Sequence, residues 1–156
     1  MIPDIQYPKL CVWDNKIDDE FIFEKDKESD SYHWQYNNIA NNNSFPHNKK
    51  GPHLFWGVYN FPNEDITNQY ISLAKFCCTK LIKKNFEIKN ISLNGQFFGQ
   101  DGTCHQDITK GLKNEKTLMV FLNNRWQKEW GGEFQVLKEN SDKSQVEYSV
   151  DYKPGR

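Results

Sequence analysis

From residue 91 onward the chain is a succession of short apolar runs punctuated by turn signals. ISLNGQFFG, CHQDI, KTLMVFLN, GEFQVLKE and SQVEYSVDY follow one another closely, separated by Asp101-Gly102, Lys113-Asn114, Gly131-Gly132 and Ser141-Asp142. Strands spaced this tightly predict a sandwich, jelly roll or barrel, because a sheet built from them must close or cover its edges. Aromatic residues make up 15% of the chain, five of them tryptophan, and rings of this kind suit pleated, half-buried surfaces. With 156 residues the chain is long enough for one domain with a real core and too short to expect two, so residues 1–156 are expected to form a single domain.

The first 90 residues differ in character. Residues 1–52 form an N-terminal segment and an asparagine-rich loop. Within it, IDDEFIFEKDKESD allows a short helix of weak periodicity, and YHWQY reads as a short strand running into the loop, with Asn41 to Pro52 at the surface. Residues 53–90 hold a strand, HLFWGVYNF, and then the clearest helix of the chain, NEDITNQYISLAKFCCTKLIKKNF. Asn63 is placed to cap that helix, and Glu64 and Asp65 lie where its dipole favours negative charge. Ile66, Tyr70, Leu73, Ala74, Cys77 and Leu81 recur at helical spacing, which predicts an apolar face laid on a sheet. Residues 91–156 are then the partial β core.

Charge and cysteine usage exclude several classes. Twenty basic residues against 21 acidic ones leave a net charge of -1, which gives no specific signal for nucleic acid or for an anionic membrane. No apolar run approaches the roughly 18 to 20 residues of a membrane span, and MIPDIQYPKL lacks the pattern of a secretion signal. A soluble, cytoplasmic protein is expected. Cys77 and Cys78 are adjacent in the helical pattern while Cys11 and Cys104 are isolated, so buried or half-buried thiols are expected rather than a disulfide framework or a zinc knuckle.

One pair of residues points to chemistry. In an extended strand His105 and Asp107 face the same way, so both can reach one ion. An imidazole with a carboxylate suits a divalent first-row metal, and a further histidine would complete the facial triad of non-haem iron oxygenases. Alone the motif is weak: four histidines and eleven aspartates give about 0.3 expected occurrences of His-x-Asp by chance. A polar strand end facing solvent explains an isolated pair better than a metal site does.

The neighbours of the pair carry more. The run NGQFFGQDGTCHQD followed by KTLMVFLNNRWQKEWGGEF resembles the Fe(II)- and 2-oxoglutarate-dependent dioxygenases, specifically the prolyl 4-hydroxylase-like group of bacteria and phages. The resemblance lies in the glycine turn before His-x-Asp, Phe121-Leu122-Asn123, Trp126, and Trp130-Gly131-Gly132-Glu133. It covers roughly residues 91 to 137 and fades around His53 to Tyr59. It implies an α+β, mainly β fold with a double-stranded β-helix (jelly-roll) core and the amphipathic helix packed on the sheet. It further implies His105 and Asp107 as iron ligands, 2-oxoglutarate as co-substrate, ascorbate as an accessory reductant, and hydroxylation of a peptidyl proline or another protein side chain, with a nucleic-acid or small-molecule substrate left open. Asn94 and Asn123 are candidate polar contacts to the co-substrate, and each equally suits a turn or a strand end.

The sequence departs from that family in places. The positions where an aromatic hydroxyl would help bind 2-oxoglutarate are Phe98 and Phe121, which have none. The third ligand of the family is a histidine well downstream, and no histidine follows Asp107. His33, His47 and His53 precede the motif without a geometric reason to replace it. Arg125 does not match the co-substrate arginine, and Arg156 belongs to a turn, VDYKPGR, that in the family leads into the strand before the distal histidine. The chain is therefore expected to be truncated or split before its last strands, incomplete as a catalyst, and prone to self-association through an exposed sheet edge. The alternative is a non-catalytic β-sandwich module in which Trp126 and Trp130 stack on a sugar or peptide.

Overall fold

The computed structural model describes residues 1–38, 55–96, 115–138 and 145–156. Helix and strand are mixed in an α+β arrangement of small sheets, and no closed barrel is present among the described residues. A hairpin of β1 (Ile5–Tyr7) and β2 (Leu10–Val12) opens the chain, followed by α1 (Asp19–Ser29). A three-stranded antiparallel sheet has the order β3 (Gln35–Asn38), β4 (Phe55–Val58), β5 (Leu93–Gly95). Between β4 and β5 lies α2 (Glu64–Phe76), continued by a π-helical turn over Cys77–Ile82. A second hairpin pairs β6 (Phe134–Leu137) with β7 (Val146–Val150).

The α2 helix forms where its sequence predicts. The Asn63 side chain accepts a hydrogen bond from the Ile66 amide at 2.9 Å, satisfying one of the amides a helix start leaves orphaned. Lys83, in the left-handed conformation at φ 59°, ends the π turn. Of the expected apolar face, Ile66, Tyr70, Cys77 and Leu81 are buried and Leu73 and Ala74 half-buried. This face covers the sheet, and Tyr32, Val58, Ile66, Tyr70 and Leu93 form one core cluster with Trp34, Phe61, Ile91 and Leu122 against it. Complete burial of a side chain such as Val58 contributes about 1.5–3 kcal/mol relative to exposure.

α1 shows why its periodicity is weak. Its buried positions are Ile22 and Lys25, three residues apart, while Phe23 is half exposed to solvent. A lysine occupies an inward position and a phenylalanine an outward one. The Lys25 ammonium, buried between the helices, bonds to the Glu28 carboxylate and to the Gln69 carboxamide oxygen of α2, and lies 5.7 Å and 5.8 Å from the ring centres of Phe21 and Tyr70. Its charge is thus paired within a largely apolar site, the only way such a group is tolerated there.

Two expectations need correction. Residues 116–123, read as a strand, run as irregular chain. Phe121 takes two backbone bonds, its amide donating to the Arg156 carbonyl at 3.0 Å and its carbonyl accepting from Gly155 at 2.8 Å. The segment that supplies them turns at Pro154-Gly155, and proline has no N–H with which to extend a ladder. The second correction is Cys11, which is exposed rather than buried because it sits on the outward position of β2. The predicted strand over CHQDI, the loop from Asn41 to Pro52, and the turns at 101–102, 113–114 and 141–142 lie outside the described residues.

Candidate functional site

His105 and Asp107 lie outside the described residues, as do Phe98, Cys104, His47 and His53. The described chain flanks the pair on both sides. Upstream, Asn94 stands exposed on β5, and downstream the segment from Glu115 to Lys138 carries the remaining motif residues. The ion pair between Lys89 and Glu115, at 2.5 Å, joins the two flanks.

The downstream motif is a packed unit of aromatic rings. Trp126 stacks on Tyr152 at 4.1 Å between ring centres, and Tyr152 stacks in turn on Phe121 at 4.3 Å. Trp130 meets Trp126 edge to face at 5.4 Å. The Trp126 indole N–H donates to the Gly131 carbonyl at 2.8 Å, folding the 126–132 segment back on itself. Gly131 and Gly132 have φ of 70° and 82°, and a methyl on Gly132 would come within 2.8 Å of Trp126 Cζ2. The Trp-Gly-Gly spacing is therefore a mutual steric requirement. Trp126 has given one ring face to Tyr152, whereas Trp130 remains 49% exposed.

Asn123 is tied into this unit by both ends of its side chain. Its Oδ1 accepts from the Tyr152 hydroxyl at 2.9 Å, and its Nδ2 donates to the Asp26 carboxylate of α1 at 3.2 Å. The Asn123 amide donates to the Tyr152 oxygen and the Asn124 amide to Asp26, at 2.9 Å and 3.1 Å. Burial pushes the Tyr152 phenol up to about 12. Asp26 and Tyr152 escape a reading by motif, because their link to Asn123 spans 97 and 29 residues of sequence. Arg156 is likewise engaged: its guanidinium grips Asp14 through two bonds of 2.6 Å and 2.8 Å. That bond holds the Asp14 carboxyl below its ordinary range against the opposing effect of burial.

The three-stranded sheet has two unlike faces. Trp56 and Val58 of β4 point toward α2 together with Leu93 and Gly95 of β5, and Tyr36 lies opposite Trp56. Gly57 points the other way, with Gln35 its partner on β3 and Asn94 its partner on β5. Tyr59 folds back over this row: its Cε2 and hydroxyl oxygen lie 2.9 Å and 3.1 Å from where a Gly57 Cβ would be. Two carboxamides and a phenol thus share one face, across a glycine that leaves room for the ring.

Among the described residues no three His, Cys, Asp or Glu side chains gather as a metal-binding group, and His33 is exposed. None of the described helices is long and apolar enough to cross a membrane. A groove of about 510 Å³ runs between the start of α1 and α2, walled by Ile17, Phe21, Leu73 and Phe76. No protein-family model, curated protein or solved structure matches the chain.

Proposed function

We propose that the chain is a Fe(II)- and 2-oxoglutarate-dependent oxygenase domain of prolyl 4-hydroxylase-like type, acting in the cytoplasm, with a jelly-roll core and with His105 and Asp107 as metal ligands. The observation that carries this reading is the ordered series of motifs: the glycine turn, His105-x-Asp107, Phe121-Leu122-Asn123, Trp126 and Trp130-Gly131-Gly132-Glu133. Two features of the fold support it. The Trp126 and Gly132 positions depend on each other sterically, so the motif residues behave as one folded unit. The sheet leading toward the glycine turn is backed on one face by α2 and carries Gln35 and Asn94 on the other, so it has the one covered and one open face that a strand layer of such a domain needs.

An imidazole and a carboxylate are a fitting donor pair for Fe(II). When bound, iron with 2-oxoglutarate and oxygen supplies hydroxylation of a substrate C–H, giving succinate and CO2 as co-products, with ascorbate as accessory reductant. The part of this chain is to hold the metal through His105 and Asp107 and to orient the co-substrate. The substrate class is a peptidyl proline or another protein or small-molecule C–H.

With two ligands from this sequence the ion is held weakly, and the 156-residue polypeptide is expected to release succinate slowly. Equilibrium dialysis of Fe(II) without oxygen tests the assignment directly. Wild type is expected to retain iron above a buffer control, and His105→Ala and Asp107→Ala to retain none. Equal retention by all three proteins would overturn the reading. The exposure of Trp130 favours a second one, a sugar- or peptide-binding module. That module would show a tryptophan fluorescence change on adding oligosaccharide or proline-rich peptide, unaffected by chelator or by either substitution.

A further inference from the structure

The Lys25 ammonium, the Gln69 carboxamide and the Glu28 carboxylate meet between α1 and α2. From that meeting we infer that the chain closes an intramolecular isopeptide bond between Lys25 Nζ and Gln69 Cδ, with Glu28 carrying the protons. The inference does not depend on the oxygenase reading.

Three parts of an amide-forming site are in contact. Lys25 is 3% exposed, the only charged side chain buried among the described residues, and its nitrogen is a nucleophile once a proton has left it. That nitrogen donates to the Gln69 side-chain oxygen across the helix interface. The carbon bonded to that oxygen is the electrophile, so attacking and attacked groups already touch. The same nitrogen donates to Glu28 Oε2, three residues further along α1, which puts a base within hydrogen-bond reach of the proton to be moved. The rings of Phe21 and Tyr70 stand 5.7 Å and 5.8 Å away and shield the group from water.

Both reactants are carried by regular helices with capped starts, Asp18 accepting from the Glu20 amide and Asn63 from the Ile66 amide. Free amines and carboxamides exchange very slowly in water, but holding the two groups together on rigid elements is equivalent to an effective concentration of about 10⁵–10⁸ M. In the step itself the Lys25 nitrogen forms a bond to Gln69 Cδ, and the Cδ–Nε2 bond breaks. Glu28 takes two protons from the Lys25 nitrogen in turn and passes both to the departing nitrogen, which leaves as ammonium. Glu28 is regenerated, and no electrons are exchanged. Phe21 and Gln69 also wall the open groove between the helices, which gives the ammonium a way out.

The bond would join α1 to α2 across 44 residues of sequence. A covalent link of that span restricts the unfolded chain as a disulfide does, and is expected to raise the thermal midpoint by roughly 10 °C.

Intact-mass measurement and tryptic mapping of the natively folded 156-residue polypeptide, incubated at neutral pH, test this. The mass is expected to fall below the sequence value by one ammonia. Trypsin no longer cuts at a Lys25 held in an amide, so a branched peptide joining residues 17–27 to 51–75 is expected. Lys25→Met, an apolar replacement that a buried site accepts, should keep the full mass with an unchanged circular dichroism spectrum. Glu28→Gln retains an acceptor for the ammonium but no base, and should slow the linkage by about a hundredfold. Full mass and linear peptides only from folded wild type after prolonged incubation would overturn the inference. So would an ammonia loss that persists in Lys25→Met and maps to one linear peptide, as ring closure at Asn94-Gly95 would give. Linkage as fast in Glu28→Gln as in wild type would overturn the role of Glu28.

Discussion

Replacing Gly132 by alanine isolates the steric logic of the Trp126–Gly132 unit. The added methyl would stand 2.8 Å from Trp126 Cζ2, about 1 Å inside an ordinary carbon–carbon contact. The indole has little room to withdraw, since its N–H is bonded to the Gly131 carbonyl, one face lies on Tyr152 and its neighbour Trp130 closes the edge. Forcing a methyl into such a site costs about 1–3 kcal/mol. A further cost of about 1–2 kcal/mol arises because the residue has φ of 82°, a conformation unfavourable to any side chain. Together these predict a loss of about 2–5 kcal/mol in urea unfolding followed by far-UV circular dichroism, and a drop in Tm of roughly 5 to 15 °C. Trp126→Phe keeps a ring against Tyr152 but removes Cζ2, so in that background Gly132→Ala should cost only the backbone part, about 1–2 kcal/mol. A cost within about 0.5 kcal/mol of that in the wild-type background would show that the indole is not the obstacle and refute the reasoning.

Two further predictions concern titrating groups. Asp14 has its carboxyl lowered chiefly by the Arg156 hydrogen bond, so the pair's contribution is fully present above the ordinary carboxylate range and lost as pH falls through the lowered value. Asp14→Asn should therefore reduce the urea midpoint at pH 7 and flatten its decline below about pH 4; parallel curves for wild type and variant would contradict the assignment. Burial pushes the Cys77 thiol up to about 11, whereas Cys11 is exposed. Alkylation with iodoacetamide at pH 8, read by peptide mass spectrometry, should modify Cys11 well before Cys77, which should react only on unfolding.

What the sequence foretold and what it hid divide along the range of the interactions involved. α2 was legible because its signals are local: Asn63 reaches three residues ahead to cap it, and an apolar residue returns every third or fourth position. The strands at 55–58, 93–95, 134–137 and 146–150 fall within the predicted runs for the same reason, as alternation within one segment needs no partner to be seen. Residues 116–123 carry the same apolar signal, yet a ladder needs a neighbour with amides to offer, and among the described residues the segment that bonds to Phe121 turns at Pro154. Lys25 shows the limit most directly. Its charge predicts exposure, and only Gln69 of α2, 44 residues away, together with Glu28 makes its burial tolerable. The candidate site positions obey the same division. His105-x-Asp107 and the Trp-Gly-Gly series announce themselves by spacing, while Asp26, Tyr152, Gln35 and Tyr59 acquire meaning only through register and folding-back. Gly57 joins the two kinds: as a lone glycine in a strand it marks a close approach, and only the fold shows that what approaches is the ring of Tyr59.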